Sequence, residues 1–396
     1  MRICLVSREY PTDEWGGIGT YTEKTARALV QLGQTVDVIT EGAEGPSTRT
    51  EDGVTVHRLA PQQRFVGIPN TKTLSRSRAV AEAVARLPAP HIVQVCENGA
   101  EGIWYSLRRR SGTGLVTRLA TPTAVVAELS AHAEPEPLKV RALDVLERVQ
   151  TRRSDAVLCP SAALAELVSR RWGLRRERIT IMPTGVDFAE RYAPCAKPLP
   201  AELRGRDYLL YVGRLEERKG VHVLARALPR ILGVRPDLRA VFVGSNFLAY
   251  DGRSMQAFIE ECNWEYRDRL HFFASLRPTE LHPIYANALV AVFPSLWESV
   301  PNVALEALDM GKPVVGTRGS GIGEVVEDGR SGILVPPGDA GALRDGLETL
   351  LANRDLLGRM SQAATARARD FSQDAMAGRL LDFYAGLGTV AEARAT

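Results

Sequence analysis

The sequence predicts an α/β protein built from two doubly wound domains, and three observations carry that expectation. The chain has 396 residues, about twice the length of an ordinary domain. Short apolar runs of strand length alternate with longer amphipathic stretches, the rhythm of parallel strands covered by helices on both faces. The rhythm stops once, where Pro194, Pro198 and Pro200 punctuate a segment of little periodicity, and then resumes.

Residues 1–187 read as an N-terminal domain. Continuous apolar runs place strands over 3–7, 36–40, 54–59, 92–96, 115–119, 156–159 and 179–182. Helical periodicity falls between them, over 19–32, 74–86, 102–109 and 162–171. A linker is expected over 188–203. The second domain, 204–372, repeats the pattern with strands over 208–212, 239–243, 270–273, 290–294, 314–316 and 332–335. Its helices are expected over 221–231, 255–262, 278–287, 302–310 and 340–352. The tail from residue 356 holds no strand candidate and reads as two or three helices, with 373–396 packing back on the first domain. Ligands of doubly wound sheets bind outside the carboxyl ends of the strands, so a cleft faced by both domains is the expected site.

Composition narrows the function. Fifty Lys and Arg against 47 Asp and Glu leave a formal charge of +3, too weak a field to imply a nucleic-acid partner. Ten of the basic residues fall within 139–178, which reads as a solvated helical face or, as the competing reading, an attraction to an anionic membrane surface. Five scattered cysteines with no C-x-x-C pair suggest neither a disulfide framework nor a zinc site. The N-terminus enters a strand at once, and no apolar run has membrane-spanning length, so a cytoplasmic protein is expected, at most peripheral to a membrane.

Four segments suggest chemistry. Residues 10–19 join the first strand to its helix, and Gly16 and Gly17 let backbone amides at a helix start approach an anion, although a plain turn explains them equally well. Residues 212–221, at the matching place in the second domain, carry Arg214 and Lys219. Two fixed cations at a strand end suit a diphosphate gaining charge as it leaves. In residues 294–307, Glu298 lies on a loop before a helix opened by Pro301, and Glu306 follows eight residues later inside an apolar turn. A carboxylate on a buried face needs partners, which paired ribose hydroxyls or an internal salt bridge would supply. Residues 317–325 add a weaker glycine-rich turn.

Together these segments resemble the large retaining glycosyltransferase family numbered four, whose fold is GT-B: two Rossmann-like domains facing a central cleft. The resemblance runs through REYP and GGIGTY, SDAVLCPS, IMPTGVD, LLYVGRLEERKGV, VFPSLWESVPNVALEAL, GKPVVGT and GEVVEDGRSGILVPPGD, nearly the whole chain in order. It implies a sugar transferred from a nucleotide-diphosphate sugar to a hydroxyl acceptor by front-face substitution, the leaving phosphate taking the acceptor's proton. No cofactor and no metal are expected, since no Asp-x-Asp pair is present and Arg214 and Lys219 would replace the divalent ion. By position, Arg214 and Lys219 match the pair that holds the diphosphate, and Glu298 the glutamate beside the donor sugar. The amides from Ser299 through Val300, Asn302 and Val303 match the loop that cradles sugar and phosphate. Glu306 matches the ribose contact, Gly16 and Gly17 match a first-domain loop closing over the phosphate, and Gly244 falls in the expected base pocket (244–247 and 272–275).

One position departs from the pattern. Within residues 116–122, Ala120 stands where relatives carry a histidine that contacts the donor sugar, its carbonyl lying beneath the anomeric carbon. A natural variant with altered sugar contacts, a catalytically impaired nucleotide-sugar-binding homologue and an introduced substitution are all open readings. A GT-B sugar-nucleotide epimerase is a further alternative. The acceptor is expected against first-domain loops, with Tyr10, Glu97 and Arg118 as candidate contacts and 10–19, 64–77, 97–101 and 134–137 as its borders. It is open among a small molecule, another saccharide and a lipid-linked carrier.

Overall fold

A computed structural model describes residues 1–10, 16–42, 45–62, 71–129, 137–246, 248–250 and 252–393. Residues 11–15 of the 10–19 loop, residues 64–70 of the expected acceptor border, Glu134 to Glu136 and Phe247 lie outside them. The chain divides into two compact units, 1–128 with 133–185 and 373–396, and 129–132 with 186–372.

The first unit contains β1 (Arg2–Val6), α1 (Gly17–Gln31), β2 (Thr35–Glu41), β3 (Ser47–Glu51), β4 (Val54–Leu59), α2 (Thr71–Arg86), β5 (Ile92–Cys96), α3 (Ile103–Leu107), β6 (Gly114–Arg118), α4 (Thr123–Leu129), α5 (Pro137–Arg153), β7 (Ala156–Cys159), α6 (Ala162–Trp172) and β8 (Ile179–Ile181). Among the described residues its sheet has the order β3-β4-β2-β1-β5-β6-β7-β8, parallel except where β3 runs antiparallel to β4. Every second residue of β1 faces the same way, so Ile3 and Leu5 enter one core layer while Cys4 and Val6 enter the other. That two-sided burial is why the strand reads as an unbroken apolar run.

The second unit contains α7 (Phe188–Tyr192), β9 (Tyr208–Val212), α8 (Val221–Val234), β10 (Arg239–Val243), β11 (Leu248–Tyr250), β12 (Arg253–Ser254), α9 (Met255–Cys262), β13 (Leu270–Phe273), α10 (Pro278–Asn287), β14 (Val290–Phe293), α11 (Asn302–Asp309), β15 (Val314–Thr317), α12 (Ile322–Val325), β16 (Gly332–Val335), α13 (Ala340–Ala352) and α14 (Arg354–Arg369). Its parallel sheet has the order β13-β10-β9-β14-β15-β16, the doubly wound arrangement whose direction of winding reverses between β9 and β14. Val290 and Val292 of β14 fill one layer, Ala291 and Phe293 the other. The last helix, α15 (Gln373–Ala393), belongs to the first unit. There Tyr384 is fully buried and its hydroxyl donates to Gln94 Oε1 at 2.7 Å.

Three features differ from the sequence expectation. Residues 188–203, expected to be a linker, are part of the second unit's packing. Phe188 is 2% exposed and its ring meets Tyr192, His282 and Tyr285, while the Ala189 N–H donates to Asp309 Oδ2 at 2.8 Å. The prolines there break helical periodicity without freeing the chain. Strand β3 was not anticipated because it is polar and exposed; Asp52 and Gly53, both at positive φ, turn it back onto β4. Helix α5 was also missed, since its periodicity is interrupted by charge.

Several arginines of the basic stretch are engaged inside the first unit. Arg152 donates to the Trp172 carbonyl, Arg153 to Ser106 and Arg178 to Ser154. Arg176 donates to Ile179, Arg171 pairs with Asp144 and Glu128, and Arg170 pairs with Glu166. These bonds weaken the reading of the stretch as one free basic surface. Among the described residues no helix is long and apolar enough to cross a membrane.

Candidate active site

In the second unit the loops after β9 and β14 leave neighbouring strands at the point where the winding reverses, which is where doubly wound sheets present ligand-binding residues. The first loop carries Arg214, Glu216, Arg218 and Lys219, and the second Ser295, Glu298 and Ser299. They are locked together by backbone. The Leu296 N–H donates to the Arg218 carbonyl at 2.9 Å, and Gly220, at φ +66°, lies so close to Pro294 that a Cβ would collide with its carbonyl. Only glycine meets both demands. Gly244, the first residue after β10, is packed in the same way against the Gly213 carbonyl.

This interlock brings Lys219 to Glu298. The Lys219 ammonium bonds Glu298 Oε1, which also accepts from the Ser295 hydroxyl at 3.1 Å and lies 3.7 Å from the Arg218 guanidinium. Glu298 is 7% exposed. Burial by itself pushes its carboxyl up, but the charges of Lys219 and Arg218, with the bonds from Lys219 and Ser295, more than offset this and hold it below the ordinary range. Its loop is fixed further by the Gly321 N–H, which donates to the Glu298 carbonyl at 2.9 Å, and by the Thr317 hydroxyl, which donates to the Ser295 carbonyl at 2.6 Å.

Arg218 was missed in the sequence, although it directly precedes Lys219; an Arg-Lys pair closing a strand-end loop was the available signal. Its Nε is buried without a hydrogen-bond partner among the described residues, as are the hydroxyls of Ser299 and Ser320. Arg214 stands apart, its side chain 51% exposed and paired at 3.1 Å with Glu216, which Arg218 also contacts at 2.8 Å. Asn302 opens α11, while Val300 and Val303 pack on the adjoining core layer. Glu306 lies one helical stretch further on, with the Tyr285 hydroxyl 3.4 Å from its Oε2.

In the first unit the winding reverses between β1 and β5, and their loops gather buried carboxyls. Glu97 Oε2 accepts the Ala120 N–H at 2.7 Å and lies 3.4 Å from the Cys96 thiol, while Oε1 is buried without a partner among the described residues. Glu147 accepts from the backbone N–H groups of Gly99 and Thr123 at 2.9 and 3.0 Å. Burial and the neighbouring Glu147 charge push Glu97 up to about 8; burial pushes Glu101 and Glu147 up to about 7. The loop between these carboxyls is strained: Ala100 is fully buried at φ +49°. Ala120 closes the group, its carbonyl accepting from the Thr121 hydroxyl at 2.7 Å.

Two of the candidate acceptor contacts are buried in the first unit. Tyr10 is 6% exposed and packs in the core with Ile3 and Leu5. Arg118 is also 6% exposed; its guanidinium lies 3.8 Å from the Tyr21 ring centroid and donates to the Met182 carbonyl at 3.0 Å and to Thr184 Oγ1 at 3.2 Å. It ties the end of β6 to the chain beyond β8. Gly16 precedes α1 with no side chain capping the helix, and the Glu9 carboxylate lies against it, occupying the space a Cβ would need.

Comparison with known proteins bears on the chemistry. Residues 16–185 match the family described as "Glycosyl transferase 4-like domain", and residues 206–353 match "Glycosyl transferases group 1". The chain is 28% identical to the glycogen synthase of Mycobacterium tuberculosis over 97% of this chain and 94% of that one. It is 27% identical to the D-inositol 3-phosphate glycosyltransferase of Corynebacterium urealyticum over 99% and 97%. The fold is similar to that of sucrose-phosphate synthase from Thermosynechococcus elongatus, with a TM-score of 0.79, 22% identity and coverage of 98% and 99%. With family matches spanning most of both units, the chain belongs to the family 4 glycosyltransferases of GT-B fold.

Proposed function

We propose that the protein moves a sugar from a nucleotide-diphosphate sugar to a hydroxyl acceptor, with retention at the anomeric carbon and without a metal ion. The observation that carries this reading is the convergence of Lys219 and Arg218 on buried Glu298 at the reversal point of the second sheet. The bond from the anomeric carbon to the diphosphate breaks, the bond to the acceptor oxygen forms on the same face, and the acceptor's proton passes to the departing phosphate oxygen.

Lys219, with Arg218 and the exposed Arg214, supplies fixed positive charge to the leaving group, in the role a divalent ion fills elsewhere. Glu298, kept ionised, holds Lys219 in place and accepts from sugar hydroxyls. The unpartnered Arg218 Nε and the hydroxyls of Ser299 and Ser320 are groups a bound sugar phosphate would satisfy. Glu306 is assigned to the ribose, Gly244 to the base pocket, and the uncapped amides after Gly16 and Gly17 to an anion. Ala120 offers only its backbone, so donor-sugar contacts at that point are weaker than an imidazole would give.

The test is release of nucleoside diphosphate from a panel of nucleotide sugars, with the product's anomeric configuration read by NMR and the assay repeated in excess chelator. Retention and undiminished rate in chelator are expected. Inversion, chelator-dependent loss, or an epimerised nucleotide sugar as the only product would each overturn it.

A further inference from the structure

The chain between β10 and α9 does more than connect them. Gly244 follows β10 at the carboxyl side of the sheet, and the segment then folds back as the antiparallel β11–β12 hairpin. Leu248 lies opposite Ser254 and Tyr250 opposite Arg253, and the Ser254 hydroxyl caps α9. This path is tied to the loop that carries Arg214: the Leu215 N–H donates to the Ser245 carbonyl at 2.8 Å, and Leu215 bridges to Asn246. Toward β13, the Gly244 N–H donates to the Phe273 carbonyl at 2.9 Å, and the Ser245 and Ser275 hydroxyls lie 2.9 Å apart.

The hairpin is pinned at Tyr250. Its ring stacks on His222 at 5.1 Å and meets Phe258 edge-on at 4.6 Å, and its hydroxyl accepts from Arg226 at 2.8 Å. His222 is 7% exposed and lies in the first turn of α8, directly after the Lys219 loop. Burial pulls its imidazole down, so the stack carries no charge near pH 7. A two-stranded hairpin is marginal by itself in water, so these ring contacts decide where this one sits.

The two sides of the reversal point differ. Beyond β14, the loop after β15 is pressed onto the loop after β14, where Gly321 leaves no room for a Cβ against the Ser299 carbonyl. Beyond β9, Ser245, Asn246 and Ser275 are exposed at the strand ends and offer hydroxyl and amide groups to a planar polar ring. Lys219, Arg218 and Glu298 lie at the reversal itself, so a nucleoside carried on a diphosphate there has its open, polar side over β10 and β13.

We propose that the β11–β12 hairpin sets the nucleobase preference of the donor site, with Tyr250 as its positioning residue. This rests on the nucleotide-sugar reading and deepens it. Tyr250 acts through residues 244–246: the ring anchors the far end of the segment on α8 and α9, and the anchored segment presents Ser245 and Asn246 to the base in one fixed register.

The experiment measures binding of UDP, GDP, ADP, CDP and inorganic pyrophosphate to the whole chain by calorimetry. Wild type should favour one nucleotide about tenfold or more over the weakest. Tyr250→Ala should weaken the favoured nucleotide about tenfold and leave pyrophosphate and the weakest nucleotide within about twofold. Tyr250→Phe, which keeps the ring, should stay within about threefold of wild type. Tyr250→Leu, which fills the space without the stack, gives the same readout as Tyr250→Ala if that variant does not fold. Ser245→Ala, at an exposed position, should weaken the favoured nucleotide about fivefold, the worth of one hydrogen bond. Equal weakening of pyrophosphate and every nucleotide at position 250 would make Tyr250 structural only and overturn the proposal, as would equal wild-type affinities or an unmoved Kd in Ser245→Ala. Failure of the nucleotide-sugar reading looks different: none of the four nucleotides binds wild type.

Discussion

Lys219→Met separates what the Lys219–Glu298 pair does for the fold from what it does for the reaction. The substitution keeps most of the side-chain volume but leaves Glu298 charged and 7% exposed. Removing one partner of a buried pair costs about 3–5 kcal/mol. Here Arg218, whose side chain is 11% exposed, remains 3.7 Å from the same carboxylate, and the Ser295 hydroxyl still donates to it, so about 2–3 kcal/mol is expected. Glu298→Gln in addition removes the stranded charge and retains an acceptor for Ser295. The double variant should then return to within about 1 kcal/mol of wild type in urea denaturation. Catalysis should not return. Losing a cation aimed at the developing diphosphate charge lowers kcat/KM by about 10²–10³, in the single and the double variant alike. In wild type the pair's contribution is present above the ordinary carboxylate range and lost as pH falls through the depressed pKa of Glu298; Lys219→Met should flatten that acid-side slope. Recovery of nucleotide release in the double variant would refute the reasoning, since the pair would then be structural only.

Three further outcomes follow from other positions. Glu97, favoured protonated in the fold at a pKa of about 8, costs stability progressively as pH rises from about 4.5, its unfolded value, toward 8. Glu97→Gln should therefore stabilise the protein by on the order of 3 kcal/mol at pH 9 and little at pH 4, measured by denaturation at both; equal effects at the two pH values would show that the carboxyl ionises freely in the fold. Gly220→Ala drives a Cβ into the Pro294 carbonyl at positive φ and should lower stability by about 2–3 kcal/mol and, by shifting Lys219, kcat as well; unchanged unfolding and kinetics would mean that the two loops are not interlocked. Arg118→Met forfeits two hydrogen bonds and a ring contact and should cost about 2–4 kcal/mol without moving acceptor KM, whereas a stable protein with a raised KM would make Arg118 an acceptor contact.

The fold was legible because parallel strands buried on both faces are unbroken apolar runs, and β1, β9 and β14 announce themselves in that way. Legibility failed where tertiary packing overrides local pattern. The prolines after Phe188 suggest a free linker, yet the buried Phe188 ring and the Ala189–Asp309 hydrogen bond hold the segment to the second unit. The Asp52-Gly53 turn was a readable hairpin signal, but the polar strand before it looked like loop. At the site, Lys219 and Glu298 are readable as candidates from their types and their places after strands, and the fold brings the two side chains together. Arg218 was overlooked because a run of four charges reads as solvated surface. Tyr10 and Arg118 both sit at the ends of strands where ligands are expected, and nothing in sequence reveals that their side chains are buried.

The return of α15 to the first unit has a consequence for how the protein is made. A chain synthesised from its N-terminus presents every strand of the first sheet long before the helix that buries Tyr384 against Gln94 exists. The second unit is contiguous apart from a four-residue segment, and its strands and all its helices from α7 to α14 are complete by then. Assembly therefore finishes in the opposite order to synthesis: the half begun first waits with an open face until the half begun second is whole, and any deletion that removes α15 leaves that face of the first unit uncovered even though all the strands of its sheet have been translated.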